Sequence, residues 1–213
     1  MNLRSVHRYS ALVVATYAVM HITNHLLGFA GTDIHLEVMA ALRHVYRFRP
    51  FEFLLLAAVG IQVATGLWMF FAGLRARRGA VAWVQALSGL TLSGFLALHL
   101  TAIFYGRLQL HLDTNIFYAA AGMQLPGPRT FFGPYYFAGV LALFVHAGCA
   151  LYRLRLRKAA RTGAGTQTVS ARKWIGLWSL AGGLVASAIV LLLAGAITPV
   201  DVPAVYLETF KAK

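Results

Sequence analysis

Acidic side chains are scarce in this chain: six Asp and Glu stand against nineteen Lys and Arg among 213 residues. Charged residues of both signs make up only 12%, about half the share a soluble domain carries. With 59% hydrophobic residues, that scarcity excludes a disordered chain and argues against a soluble globular one. Cysteine is almost absent too. The single Cys149 rules out an internal disulfide, a CxxCH haem attachment and a cysteine-ligated cluster, and it reads as a plain buried thiol. No dinucleotide fingerprint is present, so flavin and iron–sulfur centres, if they take part, belong to another subunit.

The formal net charge of +13 would suit nucleic acid if its bearers were clustered on a folded surface. They fall instead between long apolar runs, which is the pattern of membrane topology. The sequence therefore predicts a lipid bilayer as partner and no nucleic acid.

Five apolar segments are present, at about residues 9–30, 51–74, 81–105, 134–154 and 173–197. Each has enough residues to cross ~30 Å of hydrocarbon at about 1.5 Å per residue. The first is long for the core of a signal peptide and carries two histidines, so it reads as a mature helix. Between the first and second, residues 34–49 carry Glu37, Arg43, Arg47 and Arg49, with Ile34, Val38, Ala41, Leu42 and Val45 at helical spacing. That pattern predicts an amphipathic helix lying at the interface. The expected fold is all-α: an integral membrane bundle of five transmembrane helices over residues 1–198, plus this interfacial helix. Residues 106–133, with the breaker run Pro126-Gly127-Pro128, read as a polar and aromatic connection, residues 159–170 as a flexible linker, and residues 199–213 as a short tail.

Five spans put the termini on opposite sides. Arg4, Arg8, Arg75, Arg77, Arg78 and the basic residues from Arg153 to Lys173 share one side, while all six acidic residues fall on the other. By the positive-inside rule the N-terminus is cytoplasmic and the tail extracytoplasmic, in a bacterial inner membrane.

Within this apolar frame the histidines stand out. His21 and His25 lie four residues apart, on one face of a helix and one turn apart. His99 and His146 sit inside the third and fourth apolar segments. An imidazole in hydrocarbon costs free energy and faces the bundle interior to find a partner. It either bonds a neighbouring helix or ligates a metal, and three helices each bringing one favour a b-type haem held by rings from two helices. From the middle of each segment, His25 and His99 lie about 9 Å outward of centre, His21 about 3 Å outward and His146 about 3 Å inward. Two pairings follow: His25 with His99 as first choice, or His21 with His146. One haem is expected, because both pairs together would crowd two porphyrins into roughly 10 Å of depth. Gly28, Gly94 and Gly139 stand near these histidines and would leave room for a flat macrocycle, although glycine is common in membrane helices.

A second group gathers on the acidic side: Arg43, His44, Tyr46 and Arg47 after the first segment, and Tyr105, Arg107, His111, Asp113 and Tyr118 after the third. Donors beside an apolar groove suit a quinone, whose carbonyls accept protons on reduction. Of these, Arg43, His44, Tyr105, Arg107 and Asp113 form the expected quinone site. Ordinary interface decoration by Tyr and snorkelling Arg is the competing account.

Four motifs carry a family likeness: Arg8-Tyr9-Ser10 at the start of the first segment, HITNHLLG from His21, ALRHVYR from Ala41 and LDTNIFY from Leu112. Together they resemble the succinate dehydrogenase/fumarate reductase membrane-anchor superfamily, and within it the membrane domain fused to some bacterial adenylate cyclases. The likeness covers about residues 5–157. It implies a helical bundle that carries b haem and exchanges electrons with quinone, passing them to or from a flavoprotein or iron–sulfur subunit on the cytoplasmic face. Carried onto this chain, the ligand role falls on His21 or His25, on His99 and on His146. There are departures. The second span has no histidine, whereas dihaem anchors carry ligands on four helices, and no cyclase domain lies within these residues. Two further functions stay open: a haem- or quinone-sensing module without catalysis of its own, and a haem-free anchor in which the histidines only join helices.

Overall fold

The computed structural model describes residues 2–162 and 170–210. Among them every regular element is helical: α1 (Leu3–Leu27), α2 (Thr32–Tyr46), α3 (Arg49–Ala72), α4 (Ala80–Leu108), α5 (Ile116–Gln124), α6 (Pro126–Thr162), α7 (Ala171–Leu193) and α8 (Ala204–Leu207), with 3-10 turns at Gly28–Ala30 and Glu208–Phe210. The all-α expectation holds. Five of these helices, α1, α3, α4, α6 and α7, are long and apolar enough to cross a membrane. Their outer surfaces are apolar as well: Trp68 is 67% exposed and Leu177, Leu180 and Leu184 are similarly bare, as lipid-facing side chains should be. The amphipathic helix between the first and second spans is present as α2.

Several boundaries differ from the sequence expectation. Helix α1 begins at Leu3, because Asn2 caps it by accepting the Ser5 amide at 2.9 Å. The basic opening is therefore helical, and His7 belongs to the bundle. Residues 106–133 are not simply a connection: they contain α5 and the first two turns of α6. Pro126 and Pro128 sit in the first turn of α6, where a missing N–H costs no helical bond. The linker expected over residues 159–170 is helical up to Thr162, and residues 163–169 lie outside the described residues. The tail is folded over residues 199–210. Val200 and Tyr206 are buried, Gln124 Nε2 donates to the Val200 carbonyl at 2.7 Å, and Asn115 Nδ2 donates to the Tyr206 hydroxyl at 3.2 Å.

The spans pack in sequence order, α1 on α3, α3 on α4, α4 on α6 and α6 on α7. Small residues set the closest approaches. A side chain on Gly148 would collide with Trp178, and one on Gly182 with Phe144, so α6 and α7 each offer a notch to an aromatic ring of the other. Ile116, Ala120 and Met123 of α5 join Ile189, Leu192 and Leu193 of α7 in an apolar core at the end that carries the tail. Helices α1 and α4 stand apart, and the space between them is the cavity described next.

Candidate functional site: a histidine-lined cavity

A cavity of about 1840 Å³ runs through the bundle, well beyond the ~300–1,000 Å³ of an ordinary small-molecule pocket. Six histidines line it: His7, His21, His25, His35, His99 and His146. They form two groups.

At the end nearer the tail, His21 and His25 project from consecutive turns of α1, their ring centroids 4.7 Å apart and edge to face. His99 of α4 faces His21 with centroids 6.1 Å apart. Tyr17 stacks on His21 at 5.5 Å, and Phe95 stacks on His99 at 5.3 Å. Phe95 can lie there because Gly139 of α6 leaves the space, which a Cβ would overlap at 2.2 Å. His35 of α2 closes the group, 5.4 Å from His25. It is only 2% exposed and its Nδ1 donates to the Asn24 carbonyl at 2.8 Å, so its Nε2 accepts from Asn24 Nδ2 at 3.4 Å. Burial, first of all, pulls the His35 pKa below its ordinary value, which keeps this ring neutral.

By contrast, none of the ring nitrogens of His21, His25 or His99 hydrogen-bonds another group among the described residues. The Nδ1 of His25 is buried and unpartnered, and so is the Asn24 side-chain oxygen. A buried polar atom left unpaired costs on the order of 1–3 kcal/mol, so these groups point to something that the protein itself does not supply.

His146 is not in this group. Its Nδ1 donates to the Gln85 carbonyl of α4 at 2.9 Å, and its ring lies against Gly89. Gly89 precedes His99 by ten residues, about 15 Å along the helix. A shared iron between His21 and His146 is therefore out of reach. The middle of α6 coincides with that of its apolar segment, so the difference lies in α1, which begins at Leu3 and so places His21 further from its middle, level with His99.

The expected quinone residues do not converge. Arg43 pairs with Asp113 at 2.8 Å and donates to the Thr114 carbonyl at 3.3 Å. His44 turns its Nδ1 onto the Ala40 carbonyl of its own helix at 2.9 Å. Neither these three side chains nor His111, at a left-handed turn with φ 53°, lines the cavity. Arg107 and Tyr105 do, although Tyr105 is 55% exposed. Arg107 is held by Glu52 of α3 at 2.9 Å, a partner the sequence did not single out. Tyr17 and Tyr46, edge to face at 5.3 Å, line the same end together with Arg47. Of the three glycines expected to make room for a macrocycle, the space at Gly28 is filled by Leu192 and that at Gly139 by Phe95, while Gly94 opens on empty space.

Among the described residues, no three His, Cys, Asp or Glu side chains gather to hold a metal ion unaided. A haem iron is a different case, because the porphyrin supplies four of its six ligands and the protein only two. Metal–imidazole bonds of about 2 Å put two opposed rings at centroid distances of roughly 6 Å. The separation of His21 from His99 fits that requirement, while His21 and His25 stand too close together. No family model, curated protein or solved structure matches this chain.

Proposed function

We propose that this protein is a haem b-carrying membrane subunit, similar to the anchors of succinate dehydrogenase and fumarate reductase, that moves electrons between a quinone and a docked redox partner. The observation that carries the reading is the pair His21 and His99. They stand on two helices across one cavity, at the spacing of two imidazoles on one iron, with ring nitrogens that have no hydrogen-bond partner among the described residues. In a haem-free anchor the intramembrane histidines would instead join neighbouring helices through those nitrogens.

His21 and His99 would hold the iron, and haem b bound there would supply a one-electron carrier. Phe95 and Tyr17, stacked on the two imidazoles, fix their ring planes. Tyr46, Arg47 and the Glu52–Arg107 pair offer donors to a quinone carbonyl at the mouth on the tail side. The buried Nδ1 of His25 would be satisfied by a carboxylate or carbonyl of either ligand. The tail side is extracytoplasmic in this reading, α2 lies along the bilayer surface, and the arginine-rich side faces a flavoprotein or iron–sulfur subunit in the cytoplasm of a bacterium.

The test is a dithionite-reduced minus oxidised visible spectrum of the purified full chain, with haem counted as pyridine haemochrome. A sharp b-type α-band that disappears in part or whole in His99→Ala supports the reading. Folded protein made with ample haem and showing no such band would remove it.

A further inference from the structure

Three histidines of the cavity have their ring planes fixed by hydrogen bonds. His35 is held by Asn24, His146 by the Gln85 carbonyl at 2.9 Å and His7 by the Thr65 hydroxyl at 2.7 Å. His99 has no such partner among the described residues. The torsion that turns an imidazole about its Cβ–Cγ bond is broad, so the side chain does not choose a plane by itself. What lies against its face must choose it.

A stack of three aromatic rings lies there. Phe95, one turn earlier on α4, is parallel to His99 within 14°, with centroids 5.3 Å apart. Tyr135 of α6 backs Phe95 at 4.8 Å and 29°. Phe131, one turn before Tyr135, backs it in turn at 5.5 Å and 15°. The rings thus run Phe131, Tyr135, Phe95, His99, from one that is 55% exposed near the start of α6 to one inside the cavity.

A phenylalanine ring turns as freely as an imidazole, so Phe95 can pass on a plane only if it is held itself. It is held twice, both times from α6. The missing side chain of Gly139 leaves a slot for its edge, and Tyr135, one turn away on the same helix face, covers its side. Tyr135 is anchored too: its hydroxyl donates to the Phe95 carbonyl at 3.2 Å. In a continuous α-helix that carbonyl faces the His99 amide, so the tether grips the turn of α4 that carries the histidine. His21 is oriented separately, by Tyr17 of its own helix at 15°, and the two imidazoles cross at 66°.

We propose that Tyr135, by stacking on Phe95, is a positioning residue that sets the plane of the His99 imidazole and with it the crossing of His21 and His99. The spectroscopic consequence rests on the haem reading of that pair, because the angle between two axial imidazoles governs the splitting of the iron d orbitals, which the EPR signal of a low-spin ferric haem reports. The plane itself belongs to this chain, with or without haem.

The test uses the full-length protein in detergent, checked for folding by size exclusion, with haem counted as pyridine haemochrome and the oxidised sample read by EPR. Tyr135→Leu removes the ring, whereas Tyr135→Phe keeps it and loses only the hydroxyl. Tyr135→Leu should shift and broaden the lowest-field ferric line, because His99 is no longer confined to one plane. Phe95→Leu should do the same, and Tyr135→Phe should return the line to the parent position. A line that Tyr135→Leu leaves unmoved overturns the proposal and leaves the haem reading standing, as does an equal shift in Tyr135→Phe. Where a variant loses haem, or the folded parent holds none, the ring-carbon NMR resonance of His99 is read in haem-free, histidine-labelled protein, identified by its disappearance in His99→Ala. It should move in Tyr135→Leu and stay in place in Tyr135→Phe, and an unmoved resonance overturns the proposal. Folded parent protein without haem removes the haem reading, while this resonance still decides the role of Tyr135.

Discussion

His21 faces His99 across the bundle with ring centroids 6.1 Å apart, whereas His25, one turn further along α1, lies edge-on against His21 at 4.7 Å. The two histidines of the HITNH motif therefore have different neighbours: His21 faces His99 of α4, and His25 lies 5.4 Å from His35 of α2, whose ring nitrogens are both hydrogen-bonded to Asn24.

On the proposed haem reading, replacing His21 should remove the haem, as replacing His99 should. His25→Ala should keep it with an altered environment, because the side chain removed is a neighbour and not an axial partner. Haem counts and the position of the reduced α-band in the three variants decide. Loss of haem in His25→Ala with retention in His21→Ala would reverse the assignment.

Gly89→Ala places a methyl 2.9 Å from His146 Cε1 and 3.2 Å from its Nδ1. The ring must turn away and release the Gln85 carbonyl, at an overpacking cost of about 1–3 kcal/mol. Lower thermal stability in detergent should result, while Gly94→Ala, whose Cβ meets nothing within 4 Å, should leave it unchanged.

The contact between α6 and α7 should be equally sensitive to volume. In Gly148→Val the added methyl groups meet the Trp178 ring, already 2.5 Å from the Cβ position, and lower thermal stability by about 1–3 kcal/mol. Gly176→Val on the same helix pair, where nothing lies within 4 Å, serves as control.

Acid should loosen the tail side. Burial raises the Asp113 pKa, but the hydrogen bond and charge of Arg43 outweigh it and hold the carboxyl below its ordinary value. The stabilisation is therefore present above the unfolded value of about 3.9 and is lost as pH falls through the lower folded value. The side chain is half exposed, so screening limits the effect to about 0–1 kcal/mol. Asp113→Asn should lower stability slightly at pH 7 and flatten the acid dependence, read as melting temperature against pH in detergent.

The five spans were legible because length and hydropathy decide membrane helices almost alone, and the α2 pattern of Ile34, Val38, Ala41, Leu42 and Val45 was clear for the same kind of reason. Spacing put His21 and His25 on one face of α1, whereas the expected pairings, His25 with His99 or His21 with His146, rested on depth. What could not be read was depth. Asn2 starts α1 earlier than its hydropathy does, which hid His7 among basic residues. The same early start shifted the level of His21, while prolines tolerated in a first turn hid the start of α6. His35 sits in a polar helix, and only its approach to Asn24 reveals it as buried. The quinone group is divided for another reason: Arg43 and Asp113 pair with each other away from the cavity, while Tyr105 and Arg107, the latter paired with Glu52, line it.

Helix α6 has 37 residues, about 55 Å of rise against ~30 Å of hydrocarbon. Its last turns, from Arg153 to Thr162, must therefore stand clear of the bilayer as a charged mast. His146 is two turns below Arg153 on the same continuous helix. A protein that grips the mast thus holds a rigid handle on an imidazole inside the membrane, and any twist it imposes reaches the Gln85 carbonyl without passing through a loop.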